Sequence, residues 1–149
     1  MPQQRTNPVR FLTISLLLSV LHHTDHILRI DHSGWPFIAP VSPFTYSLLV
    51  YPIFLSIFLN LKKLLYCIIA TAFLFVVATG AHIFFEPLRD KYHTWTYGSD
   101  LPHHVGEQNK LGIHSPVLGV VSIAIAVLLS LALLRTLVAF IQQYRLQKR

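Results

Sequence analysis

Between Leu64 and Phe85 the chain carries no Asp, Glu, Lys or Arg, and between Pro116 and Ile141 its sole formal charge is Arg135. Runs of this kind restrict the fold more than any other feature. About 20 apolar residues cross a bilayer as a helix, and every backbone N–H and C=O in hydrocarbon must be satisfied within the protein. A third run, Pro43 to Leu61, is also long enough. The fourth, about Val9 to Ile30, reaches spanning length only by including His22-His23-Thr24-Asp25-His26. Its purely apolar part, Phe11 to Leu21, covers only about 16 Å at 1.5 Å per residue. The outer third of that helix is therefore expected to be polar and packed against protein.

Composition agrees with membrane insertion. Hydrophobic residues make up 53% of the 149 and charged residues 12%, whereas about a quarter of a soluble domain is charged. The expectation is a single all-α transmembrane domain, residues 1–149. Its four helices, 9–30, 43–61, 64–85 and 116–141, form an up-down bundle with outer loops 31–42 and 87–115. Ser42-Pro43 and Ser115-Pro116 each offer a capping hydroxyl followed by proline at the first helical position. Pro87 ends the third helix, Pro52 kinks the second, and Asn60-Leu61-Lys62-Lys63 makes a tight hairpin between the second and third. Arg5 and Arg10 ahead of the first apolar run resemble a secretory leader. No small-residue cleavage site follows, so an uncleaved first helix is expected.

Orientation follows from the cations. Arg5, Arg10, Lys62, Lys63, Arg135, Arg145, Lys148 and Arg149 lie at the termini and the middle turn. Arg29, Arg89, Lys91 and Lys110 lie at the other ends, together with all six acids and all nine histidines. The positive-inside rule makes both termini cytoplasmic and the histidine-rich loops extracytoplasmic in a cell membrane. Trp35, Tyr92, Trp95 and Tyr97 then suit an interfacial aromatic belt. The net charge of +6 is explained by orientation, so the partner is the lipid bilayer and not nucleic acid. Ser115, Gly119, Ser122, Ala126 and Ser130 give the fourth helix a small-residue face, for packing within the bundle or for a homo-oligomer.

The chemistry lies in the polar insertions. Ser15, Ser19, His22, His26 and Arg29 recur at spacings of 4, 3, 4 and 3, one face of a helix. Asp25 borders that face and is four residues before Arg29. His22 and His26, one turn apart, can both turn nitrogens to one ion. Thr79, His82 and Glu86 repeat the theme on the third helix, and His114 opens the fourth at the same level. His23 points away from the stripe. His32, His93, His103 and His104 read singly as surface residues.

Ionisable groups inside a span are costly and mark function. Imidazole with carboxylate and no thiolate suits Zn, Fe or Cu(II) as a divalent transition metal. The candidate ligands are His22, His26, His82, Asp25 and Glu86, with Arg29 and His114 in a surrounding polar network. Two other readings fit the same residues: a b-type haem held by histidines of two helices, such as His26 with His82 or His114, and a metal-free network handling protons or a small solute. An iron oxygenase would need further histidine boxes, and those are missing. Cys67, the lone cysteine, permits no intrachain disulfide and reads as a helix-wall residue. No glycine-rich phosphate loop, GxSxG, HExxH or CxxC occurs, so nucleotide, serine-hydrolase, zincin and c-type haem chemistry lose support. Whether the chain is an enzyme stays open at this level.

Overall fold

A computed structural model describes residues 7–29, 43–84, 86–99 and 105–149. Every regular element among them is a helix: α1 (Pro8–Arg29), α2 (Pro43–Ser47), α3 (Val50–Leu59), α4 (Leu64–Phe84), α5 (Leu88–Thr96) and α6 (Pro116–Gln147). Three of these, α1, α4 and α6, are long and apolar enough to cross a membrane. The loop 31–42, with Asp31, His32, Trp35 and the capping residue Ser42, lies outside the described residues, as do Asp100, His103 and His104.

The helix ends follow their local chemistry. Asn7 and Pro8 open α1, the Asn7 Oδ1 accepting the Val9 amide at 3.0 Å. Ser115 caps α6, accepting from the Leu118 amide at 3.3 Å, with Pro116 at the first helical position. α4 stops at Phe84, just ahead of Pro87, which cannot continue the hydrogen-bond ladder. At 32 residues α6 is about 48 Å long. That exceeds the roughly 30 Å hydrocarbon thickness, so α6 continues well past Ile141.

Where a single kinked second helix was expected, the chain breaks into α2 and α3 at Leu48-Leu49. The cause is Pro52. It has no N–H to give to the Leu48 carbonyl, which is met instead by the Tyr51 amide at 3.2 Å, one residue short of the α-helical interval. The hairpin after α3 is as tight as expected, closed by the Lys63 amide on the Asn60 carbonyl at 2.8 Å.

α6 is the organising element, with α1, α4 and α5 packed along it, whereas α3 touches α1 and α4 only lightly. Small residues permit the close approach. Gly119, Ser122, Ala126, Ala132 and Ala139 are buried, Ser15 of α1 meets Thr136 of α6 at 3.2 Å, and Thr79 of α4 donates to Ser130 at 3.3 Å. A Cβ on Gly119 would stand 2.8 Å from the Tyr92 ring and 3.2 Å from its backbone. The small-residue face is thus used inside the chain. The apolar core, including Leu12, Phe54, Ile57, Leu74, Leu129, Leu133 and Phe140, draws on α1, α3, α4 and α6.

The segment 87–115 was expected as a loop. Its first third is α5, a short amphipathic helix that buries Asp90, Lys91, Thr94 and Trp95 against α1 and α6. The rest is bound back by the Lys110 amide to the Leu28 carbonyl at 2.8 Å and by Ser115 to Trp95 at 2.8 Å. Asn109 adds side-chain bonds to Thr94 and Ile113. Gly98, at φ +105°, sits against the Gly106 carbonyl, where a Cβ would be 3.1 Å away.

Candidate functional site

The predicted polar stripe of α1 faces inward: Ser15, Ser19, His22 and Arg29 are all buried. Arg29, with no exposed surface, is the hub. Its Nε donates to Asp25 Oδ2 at 3.2 Å, one Nη donates to Glu86 Oε1, and the other lies 3.7 Å from Asp90 Oδ2. Lys91, also fully buried, donates from Nζ to Glu86 Oε2. Nε2 of His26 stands 3.3 Å from Glu86 Oε1.

Asp25 is saturated by donors. Trp95 Nε1 gives to Oδ1 at 2.9 Å, and Ser122 Oγ gives to Oδ2 at 2.6 Å beside Arg29. This makes it a network residue that anchors α5 and α6 to α1. Asp90 accepts from Ser99 Oγ at 2.9 Å. Glu86 sits just past α4, on the turn before Pro87. Burial alone would raise its carboxyl pKa; the Arg29, His26 and Lys91 charges outweigh that and hold it well below the ordinary carboxylate value.

Next to this charged network lies a pair of histidines with spare nitrogens. The rings of His22 and His82 stand edge to face, 4.7 Å apart. The Nδ1 of His22 and both nitrogens of His82 are buried without a hydrogen-bond partner. Ligand atoms of His22, His82 and Glu86 all fall within 4.8 Å of one another. His26 adjoins the group, 6.0 Å from His22 by ring centroids.

The remaining predicted residues separate. His114 is exposed and bonds the Thr96 carbonyl at 2.9 Å, so the structure places it at the α5–α6 junction, away from this group. His23 is buried: its nitrogens pair with Tyr51 at 2.7 Å and Ser47 at 2.9 Å, tying α1 to α2 and α3. Trp95, assigned above to an aromatic belt, is buried and bonded to Asp25, while Tyr97 is exposed. Lys91, Asp90, Trp95 and Ser122 were missed as members of the site. A signal for three of them was present: Asp90, Lys91, Thr94 and Trp95 recur at helical spacing directly after a Pro-initiated turn.

No protein-family model, curated protein or solved structure matches this chain.

Proposed function

We propose that the chain is a four-span integral membrane protein that holds a divalent transition metal ion at the outer end of its helices. The spans α1, α2 with α3, α4 and α6 run up and down, both termini are cytoplasmic, and α5 covers the site from outside. His22, His82 and Glu86 are the ligands, with His26 adjacent.

The observation that carries this reading is the set of buried imidazole nitrogens without partners on His22 and His82. A buried polar atom left unbonded costs about 1–3 kcal/mol, and an ion bound to these nitrogens removes that cost. The ligand atoms lie within 4.8 Å of each other. Bonds of about 2.0–2.2 Å to a tetrahedral ion need roughly 3.3–3.6 Å between ligand atoms, so the two rings would have to turn inward on binding. Arg29 and Lys91 would hold the carboxylate of Glu86 in place as outer-shell partners. The ion would act as a Lewis acid with a coordination position left open.

His22 and His82 themselves do not suit a haem as its two axial ligands, because their edge-to-face rings 4.7 Å apart leave no width for a porphyrin between them. Elemental analysis of protein purified in detergent on a histidine-free tag tests the reading. Stoichiometric Zn, Fe or Cu is expected, lost in His22→Ala and His82→Ala and retained in His93→Ala. Metal at trace level, or metal unchanged by both substitutions, refutes it, and a Soret band in the visible spectrum turns the assignment to haem.

A further inference from the structure

Below the histidines the helices do not close. A cavity of about 770 Å³ lies between α1, α3 and α4 with α6 as its floor, within the roughly 300–1,000 Å³ of small-molecule sites. Its ionisable groups are His22, His23, His26, His82 and Glu86; Ser19, Tyr46 and Ser47 add hydroxyls, and the rest of its wall is apolar, including Val50, Ile53, Leu74, Val77 and Leu133. Several lining residues are also exposed on the outer surface of the helices: Leu49, Phe73, Val76 and Phe84. The cavity therefore opens sideways, toward the lipid.

Gly80 bears on what the cavity is for. A glycine inside a helix costs about 1 kcal/mol against alanine and is ordinarily explained by close packing or a positive φ. Neither applies: a Cβ there would meet nothing within 4 Å, and its φ is not among the positive ones. What the missing side chain leaves is space in the cavity wall, two residues before His82.

We infer that this cavity binds a neutral lipid with a hydroxyl or carbonyl head and a hydrocarbon tail. The head lies against His22 and His82, and the tail leaves between α2/α3 and α4. The neutrality of the head follows from the ion pairs: Arg29 and Lys91 are each engaged by buried carboxylates, so an anionic head gains no cation, and Glu86, the carboxylate in the lining, already has one oxygen on Arg29 and the other on Lys91, so a cationic head gains no free anion. Imidazole can both donate to and accept from a neutral oxygen. This inference goes beyond the metal reading and does not depend on it. His82 has two nitrogens without partners, so one can hold an ion while the other meets the head.

The test is native mass spectrometry of the detergent-solubilised full chain with hexadecanol, and with hexadecanoate and hexadecyltrimethylammonium as charged comparisons. Metal content is read on the same preparations. Hexadecanol is expected to bind in preference to both charged probes. Gly80→Phe, which fills the cavity beside His82, should weaken hexadecanol binding about tenfold or more with helix content and metal content unchanged. If Gly80→Phe does not insert, Val50→Phe fills the cavity from the opposite wall and gives the same reading. Equal or better binding of either charged probe, or full hexadecanol binding in a folded, cavity-filled variant, overturns the inference. So does a wild-type chain that ignores hexadecanol and runs as a dimer dispersed by Gly80→Phe, since the cavity is then an interface between copies. Metal-free protein that binds hexadecanol in the expected pattern refutes the ion alone, and metal-loaded protein that ignores it refutes the lipid alone.

Discussion

Glu86→Gln isolates the energetic claim made for the buried network. In the native chain the Glu86 carboxylate accepts from Arg29 at one oxygen and from Lys91 at the other, with His26 Nε2 3.3 Å away. Removing its charge leaves Arg29 with Asp25 at 3.2 Å and Asp90 at 3.7 Å. Lys91, with no exposed surface, loses the carboxylate it donates to. Stranding one member of a buried pair costs about 3–5 kcal/mol, whereas replacing both members with neutral groups is often close to neutral. Glu86→Gln is therefore expected to lose about 3–5 kcal/mol, a large share of a total on the order of 5–15 kcal/mol. The double variant Glu86→Gln/Lys91→Met should recover at least about half of it, roughly 1.5–2.5 kcal/mol, and Lys91→Met alone closes the double-mutant cycle. Thermal unfolding of detergent-solubilised, chelator-treated protein reads the effect as a midpoint lowered by roughly 10 °C or more. A loss below about 1 kcal/mol, the range of a solvated surface pair, refutes the claim that these charges are buried and mutually dependent.

In the same chelated protein the pH dependence has a definite sign. The folded-state pKa of Glu86 is depressed below its ordinary 4.5, so its contribution is fully present above that value and is lost as pH falls through the folded one. The unfolding midpoint should hold steady from neutrality to about pH 5 and then decline, and Glu86→Gln should remove most of the decline. Trp95→Phe deletes the indole donor to Asp25 at 2.9 Å and should cost about 1.5–3 kcal/mol, the worth of a hydrogen bond to a charged group; a change within error places Asp25 in water. Gly119→Val drives a side chain into the Tyr92 backbone 3.2 Å from the added Cβ, and the expected loss is about 1–3 kcal/mol from overpacking. For orientation, a Cys67→Ala background carrying Glu107→Cys should react with an impermeant maleimide on intact cells. Lys62→Cys should react only after permeabilisation, and the reverse pattern inverts the topology.

The helices were readable because each has a strong local cause. The apolar runs, the Ser115-Pro116 cap and the stop at Pro87 act within a turn of where they stand; α1 and α4 begin and end close to those marks, and α6 begins at its own but runs on to Gln147. The inward face of α1 was equally readable, because spacings of three and four residues fix a side of a helix whatever packs on it. The break at Leu48-Leu49 was harder to place. Proline disturbs the carbonyl four residues earlier, so the discontinuity appears ahead of Pro52 and not at it. α5 was hidden by its polarity. Leu88-Arg89-Asp90-Lys91-Tyr92-His93-Thr94-Trp95-Thr96 buries charge and not hydrocarbon, and a search for apolar periodicity passes over such a helix. Ser122 reveals its role only when α1 brings Asp25 to it across 97 residues of sequence, and the helical spacing that includes Trp95 does not show that its partner lies 70 residues away.

That long-range closure also resolves the difficulty posed by α1. Its apolar part is too short for the hydrocarbon layer, and Asp25 and Arg29 would be costly facing lipid. They do not face it. Glu86, held at the turn between α4 and Pro87, and α5 folded over the C-terminal end of α1 give both residues buried partners. A buried charge network is weak support for stability by itself, because apolar side chains of the same volume would pack as well. What such residues provide here and apolar ones do not is a fixed carboxylate beside His22 and His82. One oxygen of Glu86 is held by Arg29 and the other by Lys91, so the group cannot rotate freely to satisfy the imidazoles, and their nitrogens stay without partners next to the cavity. Any cation or polar head that meets those nitrogens arrives within reach of Glu86, and through it touches Arg29, Asp25 and the helix α5. Occupancy of the site should therefore be felt as stability of the outer end of the bundle. Ligand-dependent protection of the α5 amides from hydrogen exchange is the measurement that connects the two.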